Sequence, residues 1–303
     1  MPEISVRYPT SASQNLNSVS SFAFDVKRTQ GVLAYNFQIN EGTLSGGTTP
    51  TWAAAFAAPI VQHVKIVADN DTIVDVDVVL LSEMQYLMTH VKPNGTFFTV
   101  EMCDRNWNTG QLLPVSLFPS WIYNEVQVTL TFNAVSVFTS GSPTTTPVTV
   151  DLTELDVPRS AITFKPLRKK LLQVSAALTL TGDNDLTSFI AQTGAYKGLL
   201  LFSTSSSSSP YANAAPANIN RFTLILNDTA TVRDDNWLPL TNQTQNLFLV
   251  APDSGFVVMA FMAGIEASQL LDLRNTQKIT AVDLRVNTNG GSDFIYCMRI
   301  VYQ

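Results

Sequence analysis

The chain has 303 residues, of which 45% are apolar and only 14% are Asp, Glu, Lys or Arg, and its formal net charge is −6. Soluble globular domains usually carry about 25% charged residues, and a net-negative chain lacks the basic face that phosphate neutralisation requires, so direct nucleic-acid binding is excluded as its task. Ser, Thr, Asn and Gln stand in for the missing ions, a composition suited to surfaces that end up against other protein, where buried charge is costly.

In chain order, Met1-Pro2-Glu3-Ile4-Ser5 is not a basic segment leading into an apolar one, and no run reaches the roughly 18 apolar residues of a bilayer span. The expectation is a chain made and kept soluble without a signal peptide. Alternation of period two then dominates. Phe22, Phe24 and Val26 alternate with Ala23 and Asp25, and Leu33, Tyr35, Phe37 and Ile39 with Ala34, Asn36 and Gln38. Asn40 to Pro50 is a Gly/Thr/Pro-rich stretch that predicts an exposed loop. Leu80, Met84, Leu87, Met88 and Val91 recur at helical spacing, with Ser82 and Gln85 as a capping box, and predict a short helix over 80–91. The run Glu125 to Asn133 predicts a strand with Val126, Val128, Leu130 and Phe132 facing a core. Ser140 to Pro147 is a second loop, and Asp151 to Pro166 is read as the connection between domains. Leu172, Val174, Ala176, Leu178 and Leu180 alternate again, Ser203 to Pro210 forms another spacer, and Phe294 to Tyr302 closes the chain as a strand.

A shift of about 158 residues lays the first half on the second. Val64, Ile66 and Ala68 fall on Phe222, Leu224 and Leu226, and Asp69-Asn70 on Asn227-Asp228. Val74 meets Val232, Asp77 meets Asp235, Leu80 meets Leu238, and Phe98 and Val100 meet Phe256 and Val258. Gln111-Leu112-Leu113 falls on Gln269-Leu270-Leu271, and Val126 and Val128 on Leu284 and Val286. The signal lies in phase and order more than in letters. It predicts a fused duplication, with residues 1–150 as one domain, 151–166 as a linker and 167–303 as the other. About eight short strands per half leave immunoglobulin-like sandwiches, jelly rolls and closed barrels as candidates, and the size of each half with its elaborated loops favours the jelly roll. The expected class is all-β: two tandem eight-stranded jelly rolls with one or two short helices in loops.

With that plan, and with Val61 to Val74 read as strand, polar turn and strand before the helix, mirrored by Ile219 to Val232, the chain resembles the double jelly-roll major capsid proteins of tailless icosahedral viruses with an internal membrane. The small coat proteins of lipid-containing phages of Flavobacterium and marine bacteria are the nearest likeness, with the adenovirus hexon as an enlarged cousin. The resemblance implies a homotrimer whose six jelly rolls tile as a pseudo-hexagon, with neighbouring capsomers, minor capsid or vertex proteins and an internal lipid membrane as partners, in a virion assembled from protein made in the host cytoplasm. It covers the whole chain as architecture and contains no diagnostic short motif.

Candidate sites are few. Lys165, Arg168, Lys169 and Lys170 form the one concentrated basic run, which either meets anionic headgroups or pairs with Asp151, Glu154 and Asp156. Asp69, Asn70, Asp71, Asp75 and Asp77 offer hard oxygen ligands for calcium, although a polar turn explains the first three equally well and EF-hand spacing is absent; the expectation is no cofactor. His63 and His90 are too few for a multi-histidine zinc centre. No GxSxG, HExxH or Walker pattern occurs, and no catalytic residue is assigned. Cys103 and Cys297 read as buried thiols. Trp52, Trp107, Trp121 and Trp237 read as core anchors, or else as a sugar platform in a rival carbohydrate-binding or receptor-attachment protein. The sequons at Asn70, Asn94, Asn227 and Asn242 carry no weight without a secretory route. The favoured reading is a structural coat subunit.

Overall fold

A computed structural model describes residues 5–15, 21–28, 30–41, 61–92, 97–132, 147–187, 189–191, 194–205, 218–261, 270–274, 279, 281–290 and 293–303. The expected loops at 42–50, 140–146 and 206–210 lie outside the described residues, as do Trp52 and Asn94. The chain forms two compact units: residues 1–86, 91–104 and 112–169 make the first, and 87–90, 105–111 and 170–303 the second.

The first unit contains β1 (Ser5–Asn15), β2 (Ser21–Asp25), β3 (Gly31–Glu41), β4 (Val61–Ala68), β5 (Asp71–Asp77), helix α1 (Val78–Thr89) and β6 (Phe97–Glu101). The short β7 (Asp104–Arg105), β8 (Leu112–Leu113) and β9 (Phe118–Pro119) precede β10 (Val126–Phe132) and β11 (Pro147–Val157). One sheet runs β1-β11-β3-β6, with β9 also on β3, and the other runs β5-β4-β10-β2, with antiparallel pairing throughout.

The second unit contains β12 (Lys169–Leu178), β13 (Gly182–Leu186), β14 (Ala195–Thr204), β15 (Ile219–Leu226), β16 (Ala230–Asn236), helix α2 (Trp237–Phe248), β17 (Phe256–Ala260), β18 (Leu271–Asp272), β19 (Val282–Thr288) and β20 (Asp293–Tyr302). Its sheets run β12-β20-β14-β17, with β18 also on β14, and β13-β19-β15-β16.

Counting the eight main strands of each unit in chain order, both follow first-eighth-third-sixth in one sheet and second-seventh-fourth-fifth in the other. This is the jelly roll, twice. Each unit also places a 12-residue helix between its fifth and sixth strands. Even the small extra strand on the start of the third recurs, as β9 on Gly31 and Val32 and as β18 on Ala195 and Tyr196.

Alternation explains the packing. β10 and β19 share one pattern, in which Val126, Val128, Leu130 and Phe132, and Val282, Leu284 and Val286, are buried while their neighbours are half-exposed. Burying each such side chain contributes about 1.5–3 kcal/mol relative to exposure. Phe37 stacks on Phe98 at 4.7 Å in the first core, and Phe222 meets Trp237 at 5.8 Å in the second.

Four expectations need correction. Residues 151–157 are not linker: they form the second half of β11, where Leu152, Glu154 and Asp156 are buried and pair with β3. The helix begins at Val78, so Ser82 and Gln85 lie within it and form no capping box at its start. Leu180 lies past the end of β12 and is exposed, because the chain turns there and Asn184 hydrogen-bonds both its N–H and its carbonyl. Finally, the shift of 158 brings β4 onto β15 but not β10 onto β19. Ile66 pairs with Val128 and its counterpart Leu224 with Leu284, so the true partner of Val128 is Leu284 and the shift there is 156. Likewise Leu270-Leu271 does not match Leu112-Leu113, since β18 takes the place of β9.

Val128→Asp and Val286→Asp should each abolish soluble expression, since both positions are 0% exposed and would bury an unpaired carboxylate. Thr129→Asp, on the half-exposed side of the same strand, should express normally. Soluble yield across the three variants checks the inward assignment.

Candidate assembly surfaces and anchoring residues

The basic run does not act as one patch. The Lys169 side chain is 6% exposed, donates from Nζ to the carbonyls of Glu101 at 2.9 Å and Cys103 at 3.2 Å, and lies 3.8 Å from the Asp104 carboxylate. Lys170 is buried as well. Both belong to the protein interior, because strand β12 begins at Lys169 and turns its side chains into packed surroundings. Lys165 and Arg168 are exposed, with the Arg168 guanidinium 5.8 Å from the centre of the Tyr123 ring. Half of the predicted membrane-facing set is therefore unable to face lipid.

The aspartates near residue 70 serve separate ends. Asp69 takes a left-handed φ of 51° at the β4–β5 turn and accepts hydrogen bonds from the backbone N–H groups of Asn124 (2.8 Å) and Glu125 (2.9 Å). Asn227 repeats the device with φ 52°, accepting at Oδ1 from the Ala281 N–H. Asp and Asn tolerate this conformation and bond locally, which explains their place in both turns. Among the described residues no group of three or more His, Cys, Asp or Glu is arranged to hold a metal ion.

Asp75 and Asp77 clasp His63 from both sides, Asp77 at Nδ1 (2.8 Å) and Asp75 at Nε2 (2.7 Å), while Lys65 lies 4.0 Å from Asp75. A neutral imidazole has one N–H, so only the imidazolium donates to both carboxylates. Burial lowers the His63 pKa, but the hydrogen bonds and charges of Asp77 and Asp75 outweigh it, and the net shift is upward.

His90, at φ 60°, ends α1 and donates from Nε2 to the carbonyl of Phe248 at 2.7 Å, satisfying a last-turn acceptor of α2. Cys103 and Cys297 are buried free thiols, and burial pushes their pKa values up to about 11 and about 12.

The tryptophans are packing anchors. Trp121 packs partly buried against Leu33, Cys103, Leu117 and Val157, and Trp237 against the core of the second unit. Trp107 is 2% exposed, 5.5 Å from Phe248, with the buried Lys197 ammonium 4.6 Å above its ring. Lys197 also donates to the Arg105 carbonyl. These contacts compensate a charge that would otherwise be costly inside protein. The described tryptophans form no sugar platform, and the attachment reading loses the feature that raised it.

Sequence reasoning missed α2 and the Trp107–Lys197 anchor. The helix was within reach, since a shift of 158 carries residues 80–91 onto 238–249. The anchor was not, because Gly198 is needed only where Trp107 arrives: a Cβ there would lie 2.7 Å from the Trp107 ring and 2.9 Å from the Met259 carbonyl oxygen.

No protein-family model and no curated protein sequence matches the chain. Solved structures do. The major capsid protein of STIV, the Sulfolobus turreted icosahedral virus, superposes with a TM-score of 0.71 at 14% identity, covering 99% of this chain and 96% of that one. The major capsid protein of bacteriophage PM2 gives 0.63 at 10% identity, covering 97% of each chain. The PBCV-1 virus capsid gives 0.64 at 10%, covering 100% of this chain and 94% of that one. At these identities the likeness is one of fold, and the fold is the double jelly roll from end to end.

Two measurements check this geometry. Gly198→Ala should lower stability by about 1–3 kcal/mol through overpacking, and Trp107→Leu should cost less in that variant than in wild type, as a double-mutant cycle of thermal melts reads. For His63, a pKa raised in the folded state means that its contribution is fully present below the unfolded value of about 6.5 and is lost as pH rises through the folded value. Wild-type stability should therefore fall across that window more than that of His63→Gln, as read by melts from acid to mildly alkaline pH.

Proposed function

We propose that this chain is the structural coat subunit of an icosahedral virus, assembling as homotrimeric, pseudo-hexagonal capsomers around an internal membrane. The observation that carries the reading is the duplication: two units with one strand order, one helix position and one auxiliary strand in a single chain. Three copies of such a chain present six similar units, so a three-fold object fills six-fold positions of a lattice. The end-to-end likeness to viral capsid folds and the scarcity of charge support it. Its partners are then other copies of itself, minor capsid or vertex proteins, and lipid headgroups reached by Lys165 and Arg168 in place of the whole basic run. Synthesis takes place in the host cytoplasm and residence in the virion. Among the described residues no helix is long and apolar enough to cross a membrane.

Sedimentation and native mass measurement of the purified chain should find a stable species of three times the chain mass, each interface burying well above the roughly 1,600 Å² of a standard complex. A chain that stays monomeric at every accessible concentration would sink the reading.

A further inference from the structure

Two buried side-chain oxygens in the second unit have no hydrogen-bond partner. Ser203 is 0% exposed, and its Oγ neither donates nor accepts. Asp293 is 4% exposed; its Oδ1 accepts from the Asn218 amide at 3.1 Å, while its Oδ2 is buried and meets no donor. Buried polar atoms in native proteins are nearly all hydrogen-bonded, and a buried carboxylate that meets only a neutral amide carries a further desolvation cost.

Register brings the two residues to one place. On β14 and β20, Ser203 lies opposite Ile295 and Leu201 opposite Cys297. Side chains alternate along a strand, and Leu201, Ile295 and Cys297 all belong to the core of this unit, so Ser203 and Asp293 point to that same inner side. Asp293 stands two residues before Ile295, which makes it the diagonal neighbour of Ser203, within reach of a shared ligand. Asn218 and Gly290 beside them are half-exposed, and a Cβ on Gly290 would lie 3.7 Å from Asn218 Oδ1, a third oxygen in the neighbourhood.

The fold does not demand this chemistry. Each third strand begins where its small extra strand pairs, at Gly31 and at Ala195, so Ser203 corresponds to Ile39. Ile39 is 2% exposed and lies opposite Val150, with Val148 at the place of Asp293. Where the first unit carries Ile and Val, the second carries a hydroxyl and a carboxylate.

We propose that Ser203 Oγ and Asp293 Oδ2 share a monovalent metal ion, sodium or potassium, with Asn218 holding the carboxylate in place. Hard cations take oxygen ligands, and every donor here is an oxygen. The charge count selects the valence. Asp293 supplies one negative charge, and Asn218 is the one described partner of its carboxylate, so a single positive charge leaves the place neutral. A divalent ion would leave a net charge buried, and a bridging water would satisfy the hydrogen bonds without offsetting the charge. The site is independent of whether the chain assembles.

The test is thermal melting of the full chain at one ionic strength in sodium, potassium or choline chloride. Wild type should melt about 3–6 °C higher in the alkali salt that fills the site, at roughly ten times its dissociation constant, than in choline. Asp293→Asn, which keeps the oxygen that accepts from Asn218, should melt alike in all three salts. Ser203→Ala should need several-fold more of the ion for the same shift, and Asp283→Asn, on another strand of the unit, should respond as wild type does. Equal melting of wild type in all three salts overturns the proposal, as does an alkali shift that survives Asp293→Asn. A wild type that responds to millimolar calcium and not to the alkali ions overturns the valence argued from charge. Should Asp293→Asn yield no folded protein, the dose response of Ser203→Ala decides alone.

Discussion

Each unit depends on the pairing of its fourth strand with its seventh, because this ladder brings the most deeply buried side chains of one sheet into line. Ile66 lies opposite Val128 and Val64 opposite Leu130 in the first unit, as Leu224 lies opposite Leu284 and Phe222 opposite Val286 in the second, and all eight are 0% exposed. Side chains on a strand alternate with a period of two, so a change of one residue between these strands would turn the whole apolar set to the outside. The observed change is two: the second unit reaches its seventh strand two residues sooner, from Val61 to Val126 against Ile219 to Val282. Inward residues stay inward. That arithmetic lets the two halves share a fold while sharing few letters.

A second constraint keeps the ladder in register at its end. The turn after the fourth strand takes a left-handed residue, Asp69 or Asn227, whose backbone N–H bonds the carbonyl of Glu125 or Ala281 just before the seventh strand. The side-chain oxygen of the same residue accepts from the backbone there as well. A polar turn thereby fixes where two non-local strands meet, and this is structural work for a cluster that looks, in the sequence, like ion ligands.

Alternation and repeat order were enough to read the strands, the two-fold duplication and the first helix from sequence, since each depends on local periodicity. What escaped was set by non-local geometry. The acids and apolar residues of 151–157 look like a tether because alternation is interrupted by Glu154 and Asp156, yet both are buried in β11 against β3. Lys169 and Lys170 look like a surface patch because neighbours in sequence are basic, while the carbonyls that receive Lys169 come from Glu101 and Cys103, more than sixty residues away. His63 gave no hint of its two carboxylates, which reach it only once β4 and β5 pair. The slip from 158 to 156 was hidden because an even slip leaves the pattern of apolar positions in phase.

The burial of the few cations bears on how such a chain meets another. Lys169 and Lys197 are held inside by backbone carbonyls, Arg233 joins β16 to α2 and β17, and Arg285 is paired with Asp185 at 2.6 Å. Among the described residues, part of an already small positive charge is therefore held inside or paired. Desolvating ion pairs is the usual obstacle to burying a polar protein surface, and it is smallest where amides and leucines are exposed, as Leu238, Asn242 and Gln245 are on α2. Association through such a face is governed by shape and apolar area more than by Coulomb attraction, so screening by salt has little to act on. Orientation must then come from the scaffold itself, and a chain that carries the same strand order twice supplies two matching sets of surfaces.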